Sequence, residues 1–268
     1  MKMRDRRHKV RRATRSYSPG CSSAWKAVVA ATTGRKHVLA GHHCEDVVGR
    51  VRRQGVQMIA LADGAGSAPL ALAGATTAVN AVLRYLPTHF RKLVKLPESV
   101  CQRRIVDHVD ASFQAVADAA QVSVGDLACT LLFAACDGNT LLLGQIGDGR
   151  VAVRNAQSQA WACALAPSRG EFANQTAFVT SSDFATKFTL VRLLAQHVDA
   201  CILMSDGAEA SLFNRAAQEY AQAVSTMANW VINAPEAAVE PAIKAELDRL
   251  LTVKTMDDVS VALMARSG

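Results

Sequence analysis

The chain has 268 residues, half of them apolar and a fifth charged, which suits a soluble globular fold with a full core. No apolar run reaches the ~20 residues needed to cross a bilayer, and no apolar stretch of a secretory signal follows the basic start, so a membrane role is not expected. The formal charge is +7, and residues 1–16, with eight Lys or Arg against one Asp, account for all of it.

Residues 1–19 read as a basic extension outside the folded unit, because they offer almost nothing apolar to bury. Contact with nucleic acid or an acidic partner through this arm stays open on charge alone. Residues 20–268 read as one domain. A strand is expected over 24–32 (AWKAVVAAT), then strands over 47–53 and 56–62 joined by the hairpin-like pair Gln54-Gly55. The Ala- and Leu-rich stretch 67–85 predicts a buried helix, and Val100, Ile105, Val109, Phe113 and Val116 predict another over 98–121. LACTLLFAAC and TLLLGQI, separated by Asp137-Gly138-Asn139, predict a hairpin of buried strands. Gly147-Asp148-Gly149 is a second turn, leading into VAVRN. A strand over 200–205, helices around 212–231 and 236–251, and a closing strand VSVALMA complete the pass.

Hairpin-linked strands alternating with blocks of helix favour antiparallel sheets covered by helices over a doubly wound parallel sheet. The seven cysteines are scattered, none in a CxxC pair, which argues against a disulfide framework or a structural zinc site and fits a reducing, cytoplasmic setting.

Four acidic motifs fall at expected strand ends: Glu45-Asp46, Asp63-Gly64, Asp206-Gly207 and Asp257-Asp258. A carboxylate at the tip of an apolar strand is rigidly held yet meets solvent. Several such tips converging would make an oxygen-rich site for a hard cation such as Mg²⁺ or Mn²⁺. Each motif alone reads as an ordinary turn; Asp137-Gly138 and Asp148-Gly149 show how common the dipeptide is here.

Their flanks add more. ALADGAGSA, ILMSDGAEA and TMDDVSVAL, in that order, resemble the motifs of the protein phosphatase 2C family. The resemblance is nearest to a bacterial branch, whose Gly…His…CQD and NETTF segments are matched by Gly34, His37 and Cys44-Glu45-Asp46 and by NQTAF at 174–178. It covers roughly residues 24–265 and implies an α+β fold, a four-layer α/β/β/α sandwich of two antiparallel sheets flanked by helices. It also implies hydrolysis of phosphoserine and phosphothreonine in proteins by a water activated between two Mn²⁺ or Mg²⁺ ions, with a phosphorylated protein as substrate and a cognate kinase as counterpart.

Residue by residue, the resemblance makes Asp63 the carboxylate shared by both ions and Gly64 a ligand through its backbone carbonyl. Asp206 and Asp257 are further ligands of one ion. Asp46 and Glu45 become catalytic residues that hold metal-bound water, and Asp148 matches an acid used for a weaker third ion in some relatives. Asp258 stands where the family has an Asn that is not a direct ligand. Ala65 stands where many relatives carry a general-acid His; His42 and His43 are candidates for that task by proximity in the chain. Two other readings stay open: a domain of the same fold that binds a partner without turnover, and a metal-dependent nuclease.

Overall fold

The computed structural model describes residues 24–165, 176–251 and 255–267. The basic arm, Cys21 and the first two residues of NQTAF lie outside them. In chain order the elements are β1 (Lys26–Thr32), α1 (Arg35–Ala40), β2 (Val47–Arg53), β3 (Val56–Ala62), α2 (Ala71–Leu93), α3 (Glu98–Ala120), β4 (Leu131–Cys136) and β5 (Thr140–Ile146). There follow β6 (Arg150–Asn155), β7 (Trp161–Leu165), α4 (Phe184–Lys187), β8 (Thr189–Leu194), β9 (Val198–Met204), α5 (Asp206–Leu212), β10 (Phe213–Asn214), β11 (Glu219–Tyr220), α6 (Gln222–Asn233), α7 (Glu236–Glu246) and β12 (Val259–Ala265).

Two five-stranded sheets, ordered β1-β12-β9-β6-β7 and β2-β3-β4-β5-β8, are antiparallel throughout. They stack face to face, with α2 and α3 on the outside of one and α6 and α7 on the outside of the other. This is the expected four-layer α/β/β/α sandwich. Because both faces of each sheet are covered, central strands are buried at every position and mostly apolar, rather than apolar at alternate positions. In β3, Val56, Met58, Ala60 and Ala62 face the α2–α3 side, while Ile59 and Leu61 enter the layer between the sheets. β12 behaves likewise, with Val259, Val261, Leu263 and Ala265 toward α6 and α7 and Ala262 and Met264 between the sheets.

Three local expectations need correction. The helix expected over 67–85 starts at Ala71 and continues through Pro87 to Leu93, because Leu86, Phe90 and Leu93 extend its buried face past the proline. In α3 the buried face runs through Cys101, Ile105, Val106, Val109, Phe113 and Ala117, leaving Val100 exposed. Residues 213–221 are not helical: the helix begins earlier, at Asp206, and ends at Leu212, and the chain then makes the small β10–β11 hairpin before α6. Gly147-Asp148-Gly149 leads into VAVRN as expected, and it carries the chain from β5 in one sheet to β6 in the other.

The Gln54-Gly55 turn forms as expected, both residues at positive φ (52° and 80°), the left-handed geometry of a tight two-residue hairpin. The six described cysteines are free thiols. Among the described residues no helix is long and apolar enough to cross a membrane.

Candidate metal centre

The acidic motifs converge because of strand direction. In antiparallel sheets, the C-terminal ends of β3 and β9 lie at the same edge as the starts of β2, β6 and β12. The registers Val47↔Ala62, Arg150↔Met204 and Val261↔Met204 record this alignment. Glu45-Asp46, Asp63-Gly64, Asp148, Asp206 and Asp257-Asp258 are the residues just beyond those ends, and all line one cavity of about 170 Å³. Every carboxylate singled out for the site is therefore brought together, with Gly64.

Each is held by a different device. Thr130 brackets Asp63: the Asp63 N–H donates to Thr130 Oγ1 (2.9 Å), and the Thr130 N–H donates to the Asp63 carbonyl (2.8 Å). The Gly64 N–H extends the β2–β3 ladder by donating to the Glu45 carbonyl at 3.3 Å. Packing also requires glycine there, since a Cβ would stand 2.9 Å from that of Ala71 at the start of α2. Thr176 Oγ1 donates to Asp148 Oδ2 at 2.6 Å, which gives the NQTAF segment a task at the site.

Asp258, buried, anchors the rim. Its Oδ1 accepts from the Gly34 N–H (2.6 Å), and its Oδ2 accepts from the Glu45 N–H (2.6 Å) and bonds His37 Nδ1 (2.9 Å). The Asp257–Asp258 backbone is gripped so closely that a Cβ on Gly34 would lie 2.2 Å from the Asp257 carbonyl carbon. A Cβ on Gly207 would lie 2.2 Å from the Asp258 carbonyl oxygen.

The electrostatics are those of a crowded anion site. Seven carboxylates line the cavity, with Lys36 and His37 as the cationic or titratable counterweights. Burial, followed by the charges of Asp46, Asp206 and Asp148, raises the Asp63 carboxyl well above the ordinary range. Burial first, then repulsion from Asp258 and Asp206, pushes Asp46 up to about 7; burial, then Asp148 and Asp257, pushes Asp206 up to about 6. Both Asp46 oxygens and Glu45 Oε2 are buried without a well-formed hydrogen bond; the hydroxyls of Ser260 and Ser205 temper Asp46 only partly. Orphaned carboxylate oxygens in a wall of like charge are relieved by protons or by hard cations, so the donor set fits Mn²⁺ or Mg²⁺. Among the described residues no three of these groups are already drawn into a closed cage.

This gives a pH dependence. A carboxyl that keeps its proton to about pH 7 in the fold, but only to about 3.8 in the unfolded chain, makes the folded state hold more protons between those values. Stability of chelated protein therefore falls as pH rises through that window, by on the order of 4 kcal/mol from Asp46 alone. The melting temperature in EDTA should be several degrees lower at pH 8 than at pH 5, and saturating Mn²⁺ should abolish or reverse the trend. A flat profile in EDTA would contradict the crowding.

Sequence reasoning overlooked Lys36, which lines the cavity; His42 and His43, named as candidates for the general acid, are exposed and outside its lining. It also overlooked Glu209, wholly buried one turn beyond Asp206, with Arg150 and Arg215 each 2.9 Å from its Oε1. A glutamate in an otherwise small, apolar helix segment was the available signal. Ala65 does line the cavity, so the departure from the His-bearing relatives falls at the site itself.

Comparison with known proteins agrees with this geometry. The profile of the protein phosphatase 2C family matches residues 33–252. Serine/threonine-protein phosphatase 3 of Escherichia coli is 30% identical over 169 residues, covering 61% of this chain and 66% of that protein, just under two thirds of its length. The serine/threonine phosphatase Stp1 of Staphylococcus aureus superposes with a TM-score of 0.61 at 16% identity, over 90% of this chain and 95% of that one. The catalytic domain of the phosphatase PstP, solved with two manganese ions, superposes with a TM-score of 0.62 at 19% identity, over 91% and 99%. At these identities the structural likeness is one of fold; the sequence match reaches further. The chain belongs to the protein phosphatase 2C family of metal-dependent serine/threonine protein phosphatases.

Proposed function

We propose that the chain hydrolyses phosphoserine and phosphothreonine esters in proteins at a binuclear Mn²⁺ or Mg²⁺ centre. The observation that carries this is the convergence of seven carboxylates on one small cavity, three of them holding their protons above the ordinary carboxylate range and one with both oxygens unpartnered. Asp63 would be shared by both ions, with the Gly64 carbonyl completing one and Asp206 and Asp257 the other. Asp148, tied to Thr176, would serve a weaker third. When bound, the cations supply Lewis acidity that neutralises phosphoryl oxygens and activates water.

The protein's own part is placement. Asp46 and Glu45 hold and orient the attacking water by accepting its hydrogen bonds, and Asp258 fixes Glu45 by its backbone N–H. Lys36, the one lysine or arginine among the described residues lining the cavity, balances phosphate charge at its rim. None of the described cysteines lines the cavity, so the reading requires no covalent phosphoenzyme. A cognate kinase and a cytoplasmic location belong to the same proposal, by analogy with the family. The test is hydrolysis of a phosphothreonine peptide with Mn²⁺, Mg²⁺ or chelator in parallel. Turnover is expected with either ion and a loss of at least a hundredfold in chelator; undiminished turnover after exhaustive chelation would overturn the reading.

A further inference from the structure

The carboxylate cavity has a neighbour, a groove of about 910 Å³ that shares Asp206 and Asp257 with it. The groove follows α5, where Asp206 and Ala210 recur one turn apart, and reaches the β10–β11 hairpin through Phe213, Arg215 and Tyr220. Beneath it lies a charge arrangement that the metal centre does not use. Glu209 Oε1 accepts from Arg150 Nη2 and from Arg215 Nε, both at 2.9 Å. Arg150 is itself buried, its guanidinium 3.7 Å from the centre of the Phe213 ring.

One carboxylate between two guanidinium groups leaves one positive charge in excess. Arg150 is enclosed, so it is Arg215, with 62% of its side chain exposed, that presents that charge to a ligand. Its Nη nitrogens have no partner among the described residues, and it is the one lysine or arginine among those lining the groove. Glu219, on the facing strand, forms no ion pair with it among the described residues. A surface arginine that merely neutralised Glu209 would be redundant, because Arg150 already does so. The hairpin is also held in shape: Asn214 Oδ1 accepts from the Ala216 and Ala217 N–H groups (3.0 and 3.1 Å), and Gln218 Nε2 donates to the Arg215 carbonyl (2.6 Å). A preorganised guanidinium with a free edge suits bidentate capture of a carboxylate.

We propose that Arg215 determines substrate specificity by receiving an Asp or Glu side chain of the phosphoprotein close to the phosphoresidue. This rests on the carboxylate cavity being where the phosphoester is hydrolysed. The seven residues of α5 span about 10 Å, and an extended peptide advances about 3.3 Å per residue, so the acid lies two to four residues from the phosphoresidue.

The experiment uses the full chain with Mn²⁺ and three substrates. Two are phosphothreonine peptides, identical except for Asp or Ala at positions two to four on both sides; the third is p-nitrophenyl phosphate, which makes no peptide contacts. The ratio of kcat/KM between the Asp and Ala peptides should be about fivefold or more in wild type. It should fall to about one in Arg215→Gln, drop below one in Arg215→Glu, and be partly kept in Arg215→Lys. About 1 M salt should collapse the wild-type ratio without any mutation, since the pair would be solvent-accessible. A wild-type ratio near one, or a ratio unmoved in Arg215→Gln, would overturn the assignment while leaving the phosphatase reading intact. No hydrolysis of any of the three would overturn both.

Discussion

Asp63→Asn is expected to remove at least about a thousandfold of the turnover, a loss of roughly 4 kcal/mol of transition-state stabilisation, without unfolding the protein. The substitution is nearly isosteric, and Thr130 clasps the backbone of residue 63 through two hydrogen bonds that the side chain does not share. It also takes one charge out of a cavity in which Asp46, Asp206 and Asp148 all repel that carboxylate. Chelated Asp63→Asn should therefore melt no lower than chelated wild type, and at pH 8 a few degrees higher. What should vanish is the rise on adding Mn²⁺, which at a hundredfold excess over the dissociation constant amounts to about 2.7 kcal/mol. Asp257→Asn, altering an exposed carboxylate given to one ion, should weaken that rise without erasing it. Wild-type turnover in Asp63→Asn would dismiss a shared cation site, and loss of the fold would reduce Asp63-Gly64 to a structural turn.

Asp258→Ala should have the largest effect on stability. Three donors converge on this one carboxylate: the N–H groups of Gly34 and Glu45, and His37. Hydrogen bonds to a charged acceptor contribute about 1.5–3 kcal/mol each, and stranded donors carry a desolvation cost. Allowing for non-additivity, a loss of about 4 kcal/mol is expected, read as a fall of about 10 °C in melting temperature. Asp258→Asn should fall between the two. Its single oxygen can serve one side of the cluster, but its amide group then faces an N–H on the other. Activity of Asp258→Asn should drop as well, because Glu45 is placed by that contact. Calorimetry of the two variants beside wild type checks the order, and an Asp258→Ala protein as stable as wild type would contradict it.

How much of this was visible in the sequence depended on whether local residues carried the cause. The central strands were legible because burial on both faces leaves nearly continuous apolar runs, interrupted only by Gln57 in VQMIALA and Ser260 in VSVALMA. The carboxylates were legible because each stands at the end of such a run. The region after Asp206 was not. Asp-Gly reads as a turn, whereas here it opens a helix, and the following segment is a hairpin because Phe213 and Tyr220 pack at 4.9 Å and Phe213 sits against Arg150. That partner lies far away in the chain, and no local pattern reports it. The turn at Gly147-Asp148-Gly149 was legible, but a turn signal does not say which sheet receives the next strand. Proximity in sequence named His42 and His43 as candidates for the general acid and left Lys36 out. Between them the short helix α1 ends at Gly41 in the left-handed conformation (φ 71°), and the two histidines that follow stay outside the cavity lining.

The pairing of β1 with β12 sets a timetable for the molecule's birth. Lys26 finds its partner in Ala265, so the first strand of one sheet waits until residue 265 has been translated. At about 5–20 residues per second that wait lasts on the order of tens of seconds. The two carboxylates that immediately precede β12, Asp257 and Asp258, arrive in the same late instalment. A nascent polypeptide still lacking them has neither the ligand assigned to one ion nor the anchor of the rim. Closing of the sheet and completion of the carboxylate cluster thus coincide, and a polypeptide lacking residues 257–265 has neither.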